Sequence, residues 1–369
     1  MEAKPRLTRL ERFGMRHLRT ASKSTDDTLH VLTADEQRSL RRIQRIAVLR
    51  AALAGALSAG FSGAAAAVGT ELRLQNLEYW LLVGSVTAVS SILEIGFLYF
   101  DGLRATREMA AHAGLAIDPE QGEAELALSL CRAALELPSP PENSLAVNPH
   151  REVSKFNLIV ASLLYKAKVA LTSFILKALL RRALGRAVVR SAFEFVAVPV
   201  TALWNAMVAH WVLGEARLRI IGPSAAFELA AWASAEEELR PYLADAVACV
   251  IVKARGVHPN IEHLARCLLG AAVPEPNLGD ATLFIARLRE LSPSAHVQVL
   301  RTLCAAAIID GRLSRRERRL LSAVFGAVGR QVPWATLEEL RRHMVHGDGL
   351  RADLLETLGG RFEPLLATK

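Results

Sequence analysis

Two apolar runs with only eight residues between them constrain this chain more than anything else in it. The first, from Ala51 to Thr70 (AALAGALSAGFSGAAAAVGT), carries no charge, and the second, from Tyr79 to Phe100 (YWLLVGSVTAVSSILEIGFLYF), carries only Glu94. Each matches the roughly 20 residues a helix needs to cross a ~30 Å hydrocarbon layer. The link ELRLQNLE is short enough to force antiparallel neighbours, so the pair predicts a transmembrane helical hairpin. In the first run small residues recur every fourth position, Ala51, Gly55, Ala59 and Gly63 on one line and Ala56, Gly60 and Ala64 on the next. A face that smooth lets a second helix approach closely. Tyr79, Trp80 and Tyr99 sit near the ends of the second run, where aromatic rings anchor spans at the interface.

Charge sets the orientation. Residues 1–50 hold twelve Lys or Arg against six Asp or Glu, whereas the link holds one Arg and two Glu. Basic flanks stay in the cytoplasm, so the N- and C-termini are both expected on the cytoplasmic side. An excess of Arg over Lys fits a GC-rich bacterial genome, and hence a bacterial inner membrane. The net charge of +8 is then a property of membrane flanks and needs no nucleic acid to explain it. Hydrophobic residues make up 51% of the 369 residues, charged ones 22% and aromatic ones 6%, with many Ala runs. That balance favours an all-α protein, because Ala propagates helices and packs poorly in sheets.

The rest of the chain divides by its breaks. Residues 1–46 read as a basic cytoplasmic segment, 47–100 as the hairpin, and 101–149 as a helical continuation ending in the loop SPPENSLAVNPH. In 150–218 the stretch from Phe156 to Arg186 puts Lys166, Ser173, Lys177 and Arg181 on one line, an amphipathic helix suited to an anionic surface. From Phe195 to Leu213 the chain has no formal charge and either spans or enters only partway, with Pro199 as a kink and Asn205 free to bond across helices. After GPSA at residues 222–225, residues 224–344 read as a compact set of helices, and 345–369 as a tail. Within that set AVACVIVKARGVHPNIEHLARCLLG echoes TLCAAAIIDGRLSRRERRLLSAVFG, each a helix, a Gly-containing turn and a helix.

Few residues carry chemistry. Glu94 is the one ionisable group inside either run, and an intramembrane carboxylate is costly enough to imply either a structural partner or a proton or ion path. Asp310-Gly311 is read as a turn, with Gly311 left-handed, Ser314 capping the next helix and Glu317 closing a capping box. An EF-hand is excluded, since Arg315 stands where Gly is needed and Leu321 where the bidentate Glu belongs. His343, His346 and Asp348 have ligand chemistry but read as a solvated helix end. Cys131, Cys249, Cys267 and Cys304 lack metal-site spacing and read as reduced thiols. The chain contains no P-loop, GxSxG, HExxH or dinucleotide fingerprint, so an enzyme is not expected.

Two local resemblances add to this. Residues 181–219, with a basic helix, Pro199-Val200 and Asn205, resemble the distal part of EcsC-like bacterial proteins, although Thr201-Ala202 replaces the glycine expected there. That likeness implies membrane association. The phrase AAAIIDGRLSRRE, within about 224–344, resembles the tellurite-resistance TerB-like module. It implies a helical bundle and carries a suggestion of divalent-cation binding onto Asp310 and Glu317, against which five nearby Arg residues work. The expectation is a membrane-anchored scaffold or stress-related sensor that presents a TerB-like domain to a protein partner or a second copy. The alternatives are a transporter or channel component with Glu94 and Asn205 in a polar path, and a cation sensor built on Asp310 and Glu317. The lipid bilayer is the expected partner in every case.

Overall fold

The computed structural model describes residues 8–18, 31–115, 124–135, 190–233, 237–254, 257–269 and 278–359. The amphipathic stretch around Lys166, Lys177 and Arg181 lies outside them. Among the described residues the chain is all-helical, with an isolated antiparallel bridge joining Val31 to Asp348. Three long helices are α2 (Ala34–Glu71), α3 (Asn76–His112) and α5 (Arg190–Ala233). Short helices α1 (Arg9–Leu18) and α4 (Ala124–Ala134) pack against their bases. A C-terminal bundle contains α6 (Arg240–Ala254), α7 (Pro259–Leu269), α8 (Ala281–Leu288), α9 (Pro293–Ile308), α10 (Arg315–Ala327), α11 (Trp334–His346) and α12 (Ala352–Thr357).

Each long helix has a reason to start or turn where it does. Thr33 caps α2 by accepting from the Glu36 N–H, while Glu36 accepts from the Thr33 N–H at 2.7 Å, a complete capping box. At 38 residues α2 is about 57 Å long, far more than a bilayer core requires. Its basic first half and its apolar second half are one unbroken rod. Arg73, at φ 49°, supplies the left-handed residue that turns the chain back into α3. The α3 helix likewise continues beyond the apolar run, as its sequence predicts.

Contacts fix the register of the three helices. Arg50 meets Asp101, the Ser90 hydroxyl meets the Ser58 carbonyl, and Tyr79 covers Gly69, so α2 and α3 are antiparallel. Gly55 faces Thr201 and Asn205, and Gln44 faces His210, so α5 also runs opposite to α2. Residues from Glu215 onward therefore lie beyond the Arg50–Asp101 level, outside the apolar bundle. All three helices are long and apolar enough to cross a membrane.

The apolar bundle is packed with small and polar residues. Ala51, Gly55, Ser58, Ala59, Ser62, Gly63, Ala66 and Gly69 of α2 are buried. Leu53, Phe61, Trp80 and Leu93, in contrast, are 57%, 60%, 59% and 68% exposed. One line of small residues is thus the packing face, as expected. The other is not: Ala56 and Gly60 are half-buried, Ala64 is exposed, and nothing lies within 4 Å of a Cβ placed on Gly60. A helix packed on two neighbours buries one stripe, and Ser58 and Ser62 widen that stripe on its other side.

Below the Arg50 level the packing becomes ordinary. Leu18, Leu40, Leu103, Met109, Leu130, Leu213 and Ile220 form a basal core among α1 to α5. A separate core unites the end of α5, through Leu218, Ala225 and Leu229, with α6 to α12, including Phe284 and Phe325, both 0% exposed. The boundary expected at GPSA is corrected here, because α5 passes straight through Gly222 and Pro223. Burial of Ala225, Ala226 and Leu229 outweighs the lost N–H of Pro223, and Gly222 leaves room for Asn260, whose side-chain atoms lie 2.1 Å from where a Cβ would stand. The C-terminal bundle also outlasts residue 344: Leu355 and Leu358 are buried in its core. The helical repeat in sequence is matched by the pairs α6–α7 and α9–α10.

Candidate functional site

The two polar residues singled out within the apolar runs meet in the middle of the bundle. Asn205 Nδ2 donates to Glu94 Oε1 at 2.7 Å, across 111 residues of chain, and both side chains are only 4% exposed. The geometry follows from small neighbours. Gly55 lets α5 come so close that a Cβ there would stand 2.8 Å from the Thr201 carbonyl and 2.6 Å from Asn205 Nδ2. Thr201 turns its hydroxyl back onto the Ala197 carbonyl at 2.7 Å, and Ser62 does the same to Ser58 at 2.9 Å, so these hydroxyls are satisfied within their own helices.

Two turns toward the base, Asp101 accepts from Arg50 Nη1 at 3.2 Å. Between the two carboxylates lies a cavity of about 90 Å³, walled by Ala51, Leu98, Trp204, Val208 and Ala209 and floored by Ala134. Trp204 Nε1 is buried and has no hydrogen-bond partner among the described residues. A water-sized site needs ~10–15 Å³, so the cavity has room for several waters. On its other side Glu94 borders a groove of about 580 Å³ between α2 and α3, lined by Leu53, Leu57, Phe61, Val89, Leu93 and Phe97, with Arg50 at its basal rim. One carboxylate thereby borders both a cavity with a few polar groups in its wall and an apolar groove.

Sequence reasoning missed Arg50, Asp101, Thr201 and Trp204. A signal for the first two existed, because Arg50 and Asp101 stand immediately outside the two apolar runs, each on the side away from the link. Antiparallel register alone brings such a pair together. Nothing local marked Trp204 as a residue of the cavity wall.

The Asp310 and Glu317 positions adopt turn chemistry. Gly311 has φ 73°, Ser314 caps α10, and Glu317 Oε2 accepts from the Ser314 N–H at 2.6 Å while its own N–H donates to the Ser314 hydroxyl. Asp310 Oδ1 accepts from the Arg312 N–H at 2.8 Å. Burial raises both carboxyls above their ordinary values, and the backbone hydrogen bonds pull the other way. Among the described residues no group of three or more His, Cys, Asp or Glu is arranged to hold a metal ion.

This turn does join a charge network that ties α5 to the C-terminal bundle. Glu215 Oε1 accepts from Arg219 Nε and meets His258 Nε2, both at 2.9 Å, and Arg312 lies 3.4 Å from its other oxygen. His258 Nδ1 accepts from the Asn260 N–H at 3.2 Å, so the proton sits on Nε2, aimed at Glu215. His258 thus caps α7 at the place where Ser314 caps α10 in the other helix pair. Burial alone would raise the Glu215 carboxyl, but His258 and Arg219 together bring it down to about 2.

The remaining polar residues serve local structure. His343 lies 3.4 Å from Asp348, and His346 bonds the Arg342 carbonyl. All four cysteines are free thiols, and burial pushes Cys131 up to about 12. Comparison with protein-family models, curated proteins and solved structures finds no match. The TerB-like and EcsC-like resemblances therefore rest on the residues that carry them.

Proposed function

We propose that this chain is a non-enzymatic scaffold or stress-related sensor of the bacterial inner membrane. Among the described residues α2, α3 and α5 hold it in the bilayer, both termini are cytoplasmic, and its TerB-like C-terminal bundle is offered to a protein partner. The observation that supports this reading is the continuity of α5. One 44-residue helix lines the Glu94–Asn205 site near one end and is seated in the C-terminal core near the other. A change at the buried pair can thereby reach the bundle as a shift of one rigid rod, without any intervening loop.

Amide hydrogen exchange on reconstituted protein tests this. Asn205→Ala is expected to alter exchange in α7 and α9, which pack against the far part of α5. Unchanged exchange there would reduce the chain to a passive anchor.

The buried Glu94–Asn205 pair and the cavity beside it favour a second reading, a transporter or channel component. Proteoliposome assays separate the two: the scaffold gives no ion or proton flux above empty vesicles, whereas a transporter gives flux that Glu94→Gln abolishes. A cation sensor on Asp310 and Glu317 draws less support, since Glu317 is committed to its capping box and Asp310 to the Arg312 amide.

A further inference from the structure

We infer that the membrane-facing end of the C-terminal bundle, at the first turns of α10, is a binding surface for anionic lipid headgroups, carried by Arg315, Arg316 and Arg319. The inference rests on the membrane-spanning reading of α2, α3 and α5 and adds a second contact of the chain with the same bilayer.

Chain direction places this end. Glu215 comes seven residues, about 10 Å, after Val208, which lines the cavity beside Asp101. Arg312 lies 3.4 Å from Glu215, and a Cβ at Gly311 would meet Leu218. Asn260 bonds the carbonyls of both Leu218 and Ile309, whereas Arg301, two turns earlier in α9, lies over the Trp232 ring near the far end of α5. The α9 helix therefore runs opposite to α5, and its turn into α10 points back toward the bilayer. Headgroups add roughly 5–7 Å to the apolar core on each face, so this turn stands just outside them.

The charge at this end is one-sided. Glu317 is 2% exposed and closes the capping box, and Asp310 accepts from the Arg312 N–H. Glu215 is shared by Arg219, His258 and Arg312, and Glu338 by Arg341 and Arg318. Arg315 and Arg319 are exposed, Arg316 is half-buried, and none of the three has an acidic partner among the described residues. Leu320, Leu321, Val324 and Phe325 hold the opposite face of α10 in the core, so Arg315 and Arg319 stand outward. Side chains lean toward the N-terminus of their helix, which here is the bilayer side.

For the bundle alone this arrangement is unfavourable. Cations in a first turn oppose the helix macrodipole, and like charges four residues apart repel. Lipid phosphates relieve both effects. A protein partner would have to bring an acidic face of its own, whereas the membrane surface already lies within a Debye length of ~8–10 Å. Each arginine beside an anionic surface favours the docked position by about fivefold.

Because the spans already anchor the chain, co-sedimentation with vesicles is blind to this contact, but the reactivity of the arginines reports it. Full-length chain in nanodiscs of phosphatidylcholine, alone or mixed with phosphatidylglycerol, is treated with phenylglyoxal, and mass spectrometry follows each arginine. Arg315, Arg316 and Arg319 should react several-fold more slowly in the anionic discs and recover in high salt. Arg38, exposed and about 18 Å from Arg50 along α2, should react equally in both. Amide exchange of α10 should be slower in anionic than in zwitterionic discs, and Arg315→Gln, Arg316→Gln and Arg319→Gln together, which leave the buried face intact, should abolish that difference. Equal reactivity of the three arginines in the two lipids would overturn the inference and leave this face to an acidic protein. Slowing of Arg38 by the same factor would overturn it as well. Release of the chain by an alkaline carbonate wash would instead remove the spanning reading, and the inference with it.

Discussion

In the apolar bundle Gly55, Ser58, Ala59, Ser62 and Glu94 face inward while Leu53, Phe61 and Leu93 face outward, whereas the C-terminal bundle turns Phe284, Leu303, Leu321 and Phe325 inward. Both are helical, and one helix, α5, belongs to each. The difference fits the medium proposed for each. In water, burying large apolar side chains drives packing. In lipid that force vanishes between helices, and close backbone approach with a few interhelical hydrogen bonds takes its place. The change occurs at the level of Arg50 and Asp101, where the buried residues pass from small to large within two or three turns.

The comparison predicts different answers to similar mutations. Phe325→Ala should lower the stability of the C-terminal bundle by about 3–5 kcal/mol, whereas Phe61→Ala, at a 60% exposed position, should cost well under 1 kcal/mol in detergent. Chemical denaturation followed by tryptophan fluorescence and circular dichroism measures both. Equal losses would mean that the two regions are packed on the same principle.

Leu93→Arg sharpens the point. An exposed leucine in water accepts this change almost freely, but at a lipid-facing position it should cost roughly 2.5–3.5 kcal/mol of insertion. The fraction of chain retained in membranes reports it. Somewhat smaller effects are expected where α5 joins each bundle. Gly55→Val should separate α2 from α5 at a cost of about 1–3 kcal/mol, seen as a lower melting temperature in detergent. Asn260→Ala removes donors to the Leu218 and Ile309 carbonyls, each at 3.0 Å, and should cost about 1–3 kcal/mol in the C-terminal bundle.

An effect of similar size depends on pH. The Glu215 carboxyl is lowered on folding from 4.5 to about 2, so its stabilisation is full above the unfolded value and is lost as pH falls through the folded one. Glu215→Gln should cost on the order of 1–3 kcal/mol at neutral pH, and its gap from wild type should close on acidification. Asp310 and Glu317, raised by burial, act in the opposite sense, so the difference between variant and wild type is the quantity to follow.

Much of this architecture is legible in the residues. Apolar run length and the eight-residue link specify the hairpin, the line from Ala51 to Gly63 specifies its packing face, and Ser314 with Glu317 specifies the start of α10. Gly222-Pro223 misleads because tertiary burial of Ala225 and Leu229 overrides a local breaker. The six-residue α12 is too short to show a period, so Leu355 and Leu358 read as tail. As for the site, Glu94 and Asn205 each stand out as polar residues in apolar surroundings. Their pairing does not, because it depends on the register between helices 111 residues apart and on the room that Gly55 leaves.

An alkaline carbonate wash of membranes containing the full chain probes the inverted bundle most directly. With large apolar side chains exposed on all three helices, the protein should remain in the pellet and leave it only with detergent. Intact monomer in the detergent-free supernatant would contradict the account.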